Sequence, residues 1–249
     1  MQTTQLTNNR DKEKSTFLEN GFACIDNMIC DEELEILSKL YDRCFAPEQM
    51  DQSKALGGTD KEGRQTLPQI LSPSKLFPEL LNLSIYKKCK EITKDFFEDT
   101  DITLRGEHMI LKPAAYGAET PWHQDQAYHD PSLSYRNINF WFPIDGATEE
   151  EGALQFVKGS HKGSVVMPHT HLIEGDEQSA MVAVNQSYWQ KNGTVVPCPR
   201  GSCTLHHSYC LHAAGPNYTN RDRRAFIIVF GVQPKKLEQA WHFPWRKRE

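Results

Sequence analysis

The 249-residue chain has no apolar run long enough to cross a bilayer. Its longest nearly unbroken stretch, Ala225-Phe-Ile-Ile-Val-Phe-Gly-Val232, falls far short of the roughly 18 residues a span needs. It has no excess of basic charge: 28 Lys and Arg stand against 33 Asp and Glu, a net charge of −5, which leaves no positive field for a phosphate backbone. Neither nucleic acid nor membrane is an expected partner. The seven cysteines contain no Cys-x-x-Cys pair, and their odd number and scattered spacing read as free thiols, not as a disulfide framework or a zinc knuckle. The N-terminus lacks the apolar core of a secretory signal, which together with the free thiols predicts a cytoplasmic protein. There is no internal repeat, no low-complexity tract and no glycine spacing suited to cradling phosphate.

What the chain does have is a hydrophobic content of 38%, enough for one large core. Residues 1–16 are polar without a period and are expected to form a flexible leader, with a single domain over 17–249. Phe22–Ile25 reads as a short strand. The acidic start Asp31-Glu-Glu, followed by Leu34, Leu37, Leu40 and Tyr41 at helical spacing, predicts a surface helix. Residues 50–69, with Gly57, Gly58 and Gly63, predict a long loop covering a site, and a second helical block is expected from Pro78 to Phe97. From Ile102 onward short β-rich runs follow one another: 103–112, 137–144, 153–157, 194–196, 202–205 and 224–232. Helices first and strands afterwards, without βαβ alternation, predict a mainly β protein with flanking α-helices. The expected architecture is a double-stranded β-helix, a cupin-like jelly-roll barrel with the N-terminal helices packed on one sheet.

The ten histidines crowd into this β half. His123-Gln-Asp125 is an H-x-D pair whose side chains share a face if the segment is extended. Composition alone supplies about 0.6 such matches, so the pair gains weight only with His212, set in Leu211-His-Ala-Ala-Gly-Pro-Asn217 and followed by Arg223 at the edge of an apolar strand. Two imidazoles and one carboxylate on one side of an octahedral ion leave three positions open, the donor set of non-heme Fe(II) oxygen chemistry. In Asn137–Phe142, alternation places Asn137, Asn139 and Trp141 on one face and Ile138, Phe140 and Phe142 on the other.

Over Ile110–Val232 the chain resembles the phytanoyl-CoA dioxygenase family of Fe(II)/2-oxoglutarate-dependent oxygenases. The resemblance is carried by Leu111-Lys-Pro113, Trp122-His-Gln-Asp125, Asn139-Phe-Trp-Phe-Pro-Ile-Asp145, Glu151–His161, His212-Ala-Ala-Gly-Pro-Asn217 and Arg223-Arg-Ala225, in the family's order. It implies that His123, Asp125 and His212 are the catalytic metal ligands for Fe(II), with 2-oxoglutarate as cosubstrate and O2 as oxidant. It also implies that Arg223 holds the distal carboxylate of 2-oxoglutarate, with Trp141 and Asn139 lining the cosubstrate site. A guanidinium fork suits that carboxylate. Arg224 should face the opposite way on the strand and Arg221 lies in the turn before it, so Arg223 ranks first. Ala214 stands where relatives often carry a Ser. The implied reaction is oxidation of a C–H bond of a small organic substrate with release of succinate and CO2, and retention of Asp125 disfavours halogenation.

The competing readings are a cupin-type metal site built from His169, His171 and Glu174, and a non-catalytic small-molecule-binding relative. His161, His206, His207 and His242 read as structural imidazoles, and His108 fits either a pocket wall or the core. Lys112, before Pro113, reads as a side chain snorkelling from a strand end.

Overall fold

A computed structural model describes residues 2–173 and 179–245. Helix α1 spans Gln2–Asn20 and is followed by β1 (Phe22–Ile25) and α2 (Asp31–Cys44). Two short strands come next, β2 (Lys54–Ala55) and β3 (Pro68–Leu71), then α3 (Ser84–Phe97). The β half holds β4 (Thr103–Lys112), β5 (Thr120–His123), β6 (Leu133–Ser134), β7 (Asn137–Pro143), β8 (Leu154–Phe156), β9 (His169–His171) and β10 (Met181–Ala183). After α4 (Gln186–Asn192) come β11 (Thr194–Val196), β12 (Cys203–His207), β13 (His212–Ala214), β14 (Arg223–Gly231) and β15 (Lys235–Lys236). No helix among the described residues is long and apolar enough to cross a membrane.

The architecture is a mixture of helix and antiparallel sheet. A seven-stranded sheet runs β1-β12-β7-β14-β4-β3-β2 and a four-stranded sheet runs β11-β8-β13-β5. β7 lies near the centre of the larger sheet and is buried along its whole length, so each of its faces meets a core. Ile138, Phe140 and Phe142, with Phe226, Ile228 and Phe230 of β14, pack against Leu34, Leu37 and Tyr41 of α2 and Ile85, Cys89 and Ile92 of α3. Each of these large side chains contributes about 1.5–3 kcal/mol by leaving water. The other face carries Trp141, Ala225 and Ile227 toward Leu154 and Phe156 of the smaller sheet.

The structure departs from the sequence reading at the N-terminus, at Pro78 and over residues 50–69, and it adds strands the reading did not mark, among them β5 and β13. Helix α1 runs through the residues expected to be an unpatterned leader. Its charged turns have no apolar stripe before Phe17, which is buried and anchors the last turn, while Lys14 reaches Glu98 at 2.9 Å and Asp95 at 3.4 Å. The block beginning at Pro78 is broken: a 3₁₀ turn covers Pro78–Asn82 and Leu83 is extended before α3 begins. Residues 50–69 run from the end of a 3₁₀ turn through β2 and a stretch of turns to the start of β3, and the cleft described below draws no wall residue from them among the described residues. Gly152 does form a turn, as expected: its φ is +75°, and a Cβ there would collide with the Gly215 carbonyl.

Candidate active site

Between the two sheets lies a cleft of about 510 Å³ including its open mouth, within the range of small-molecule sites. The larger sheet lends it His108, Ile110, Asn139, Trp141, His206, Arg223 and Ile227. The smaller sheet lends it Thr120, His123, Leu154, His212, Ala213 and Ala214, with Asp125 at the junction.

His123 ends β5 and His212 opens β13, and the two are direct antiparallel partners with ring centroids 4.2 Å apart. The Nδ1 of His123 lies 2.8 Å from the Pro121 carbonyl and that of His212 lies 3.0 Å from the Cys210 carbonyl. A carbonyl only accepts, so both Nδ1 atoms carry the hydrogen and both Nε2 lone pairs face the cleft, the orientation that carbonyl partners impose on metal-binding imidazoles. The strand stops after His123, Gln124 stays extended, and Asp125 starts a 3₁₀ turn. Its Oδ1 lies 3.8 Å from each Nε2, and the candidate ligand atoms of His123, Asp125 and His212 all lie within 4.8 Å of one another.

Burial pushes the His123 and His212 imidazoles below their ordinary range, and it lowers His108 to about 4. Burial would raise the Asp125 carboxyl, but the His212 imidazole, the His206 hydrogen bond and the His123 imidazole together hold it well below the usual carboxylate range. At neutral pH the cluster therefore offers two neutral imidazoles and one carboxylate anion, the protonation state a divalent metal requires.

Asp125 is held by residues on the facing sheet. Asn139 Nδ2 donates to Asp125 Oδ2 at 2.8 Å, and His206 Nε2 lies 3.3 Å from the same oxygen. The amide nitrogen of Asn139, expected to serve the cosubstrate, thus serves the carboxylate. His206, read from sequence as a structural imidazole, belongs to the cleft. Its register partner is Asn139, so the signal that would find it is the pairing of β12 with β7, which local alternation does not contain.

Arg223 is buried, and its Nε and Nη1 have no hydrogen-bond partner among the described residues. Its guanidinium carbon lies 5.5 Å from the Trp141 ring centroid. Burial lowers it to about 10, which leaves it charged at neutral pH. Its neighbours are committed elsewhere: Arg221 pairs with Glu151, and Arg224 forms a two-point fork with Asp145 at 2.8 Å and reaches Asp42 at 2.7 Å. A charged, unpaired guanidinium in a buried wall is a receptor for a carboxylate. Ala214 faces its register partner Thr120, the one hydroxyl-bearing residue in the cleft wall.

Among the described residues the alternative metal set does not assemble. His169 Nδ1 donates to the Met167 carbonyl at 2.6 Å, and its Nε2 accepts the Gln124 backbone N–H at 3.1 Å, so neither nitrogen is left for a metal. His171 Nε2 meets the Trp245 carbonyl at 2.7 Å, and Glu174 lies outside the described residues. His169 instead braces the turn between the first two cleft donors. Lys112 does not snorkel. It is fully buried, with Nζ donating to the carbonyls of Ala118, Ala214 and Gly215 at 2.7, 3.2 and 2.5 Å.

An antiparallel fold presenting two neutral imidazoles, a carboxylate and an unpaired guanidinium to one cleft has the donor set of the mononuclear non-heme iron oxygenases. The chain belongs to the phytanoyl-CoA dioxygenase (PhyH) family, whose sequence profile matches residues 17–225. It is 25% identical over 230 residues to the probable alpha-ketoglutarate-dependent hypophosphite dioxygenase of Stutzerimonas stutzeri, covering 89% of this chain and 78% of that protein. The crystal structure of EvdO2 from Micromonospora carbonacea var. aurantiaca superposes with a TM-score of 0.83 at 32% identity, covering 95% of this chain and 96% of that one. The same enzyme has been solved with 2-oxoglutarate. The epimerase SnoN, in complex with Fe3+, alpha ketoglutarate and nogalamycin RO, shares the fold with a TM-score of 0.71 at 18% identity, covering 91% of this chain and 84% of that one.

Proposed function

We propose that this protein oxidises an unactivated C–H bond of a small organic molecule, with His123, Asp125 and His212 holding Fe(II) and Arg223 holding the distal carboxylate of 2-oxoglutarate. The protein is an Fe(II)/2-oxoglutarate-dependent dioxygenase. The observation that carries the residue assignment is the convergence of three donor atoms within 4.8 Å in a cleft whose wall holds a buried guanidinium with Nε and Nη1 unpartnered among the described residues. We further read the two sheets as a jelly-roll barrel, because both contribute walls to one cleft, and residues 17–249 as a single oxygenase domain.

When bound, iron and 2-oxoglutarate couple O2 reduction to release of succinate and CO2 and supply the oxidant for the substrate. The chain's own residues prepare that chemistry. His123 and His212 keep their Nε2 lone pairs aimed inward because the backbone takes their Nδ1 hydrogens. Trp141, Ile110, Ile227 and Leu154 exclude water around Arg223, which strengthens a charge-assisted bond to a carboxylate.

The test is an anaerobic titration of metal-free protein with Fe(II) and then 2-oxoglutarate, followed by aerobic assay of succinate. A weak visible charge-transfer band and succinate release are the expected results. Protein that gives neither is a non-catalytic binding relative, and this reading then fails.

A further inference from the structure

We propose that His206 is a positioning residue. Together with Asn139 it ties up one oxygen of Asp125, so that the carboxylate offers a metal a single atom and the positions a chelating cosubstrate needs stay open. This inference rests on the reading of His123, Asp125 and His212 as the iron ligands.

Both outer contacts end on the same atom. Asn139 Nδ2 donates to Asp125 Oδ2 at 2.8 Å and His206 Nε2 lies 3.3 Å from it, while Oδ1 sits 3.8 Å from each of the two inward Nε2 atoms. An ionised carboxylate has no proton to give, so the His206 hydrogen resides on Nε2 and is donated to Oδ2. The two carboxylate oxygens are thus divided, one toward the facing sheet and one toward the imidazoles. Asn139 and His206 are directly opposed on β7 and β12, so a single rung of the larger sheet delivers both donors across the cleft.

The ring's remaining contacts single out this role. His206 is buried, its ring tilted against those of His212 and Phe156 with centroids 4.1 and 5.5 Å away, and its Nδ1 has no hydrogen-bond partner among the described residues. A buried nitrogen left without a partner carries a desolvation cost that an apolar ring or chain would avoid. Among the described residues, the polar contact that offsets that cost is the one to Asp125.

The consequence concerns coordination number. An octahedral ion that takes one atom from each of three side chains keeps three positions free. A carboxylate released from its outer donors can chelate through both oxygens and remove one of those positions, and the cosubstrate, which needs two, then binds less well.

The experiment compares wild type with His206→Leu, His206→Gln and Asn139→Leu, each reconstituted anaerobically with Fe(II) and titrated with 2-oxoglutarate, with far-UV circular dichroism and melting temperature recorded alongside. His206→Leu is expected to bind one Fe(II) but to raise the 2-oxoglutarate concentration at half-maximal charge-transfer absorbance by about 10–100-fold. His206→Gln keeps a donor and is expected to restore the wild-type band position. A folded His206→Leu protein with the wild-type band and half-saturation point overturns the proposal. If that variant does not fold, Asn139→Leu decides: a displaced, weakened band supports the division of the two oxygens, and an unaltered one overturns it. A wild-type protein with no band would overturn the iron and 2-oxoglutarate reading itself, an outcome distinct from a normal wild type with indifferent variants.

Discussion

Lys112 and Arg223 are direct cross-strand partners on β4 and β14, both buried basic side chains, yet among the described residues only Lys112 finds a full set of partners. Lys112 donates to three backbone carbonyls. Arg223, directly opposite, has two guanidinium nitrogens without a hydrogen-bond partner among the described residues. The first side chain ties the end of β13 to β4, and the second leaves donors facing the cleft.

Arg223→Lys should raise the 2-oxoglutarate requirement by more than about tenfold while Fe(II) binding is unchanged, because a point charge cannot reproduce the two-point fork. Arg224→Ala should leave that requirement alone and lower the melting temperature, since its fork goes to Asp145 and its remaining bonds to Ser38 and Asp42. A paired spectroscopic titration and thermal melt of both variants checks this. A normal cosubstrate titration for Arg223→Lys would move the role elsewhere.

Lys112→Met should destabilise the protein by about 1–3 kcal/mol for each carbonyl that finds no new partner. Urea unfolding measures this directly. Stability equal to wild type would mean that the three carbonyls are resatisfied.

Asp125→Ala should remove tight Fe(II) binding and abolish succinate formation with the fold intact. Equilibrium dialysis with iron, next to a far-UV spectrum, separates ligand loss from unfolding. Full-strength iron binding in this variant would end the assignment of Asp125.

His169→Ala should keep a stoichiometry of one iron per chain, because both of its ring nitrogens already have protein partners. It should lose about 1–3 kcal/mol of stability, since the Gln124 N–H is left without an acceptor. Loss of stoichiometric iron would instead revive a site built on His169 and His171.

Metal-free protein should weaken in mild acid. Burial lowers His108 and His169 to about 4, against roughly 6.5 in an unfolded chain. Between those values the unfolded state binds more protons, so stability is fully present above pH ~6.5 and falls as pH drops toward about 4, by up to ~1.4 kcal/mol per pH unit for each imidazole. Urea midpoints of chelator-treated protein at pH 7, 6 and 5 test the slope, and a flat profile would contradict it.

Much of this was written locally. His123 and Asp125 are two residues apart, and β4 and β11 occupy the very residues their β-rich runs marked. Alternation in β7 sorted Trp141 toward the cleft and Phe140 toward the helices. Helix α1 was silent because its charged turns have no apolar stripe, and the break after Asn82 turned on a backbone change at Leu83 that apolar spacing does not record.

By itself, then, the sequence determined the kind of donors available and several strands of the larger sheet, and it ranked Arg223 ahead of its neighbours, but it did not mark β5 and β13, the strands that carry His123 and His212. Which imidazoles keep a free nitrogen was decided only in three dimensions: His169 gives both of its own to the backbone, while His206 turns toward Asp125. The reason is physical. A polar side chain's role depends on which of its atoms remain unpaired after packing, and that is set by the register of strands distant in the chain.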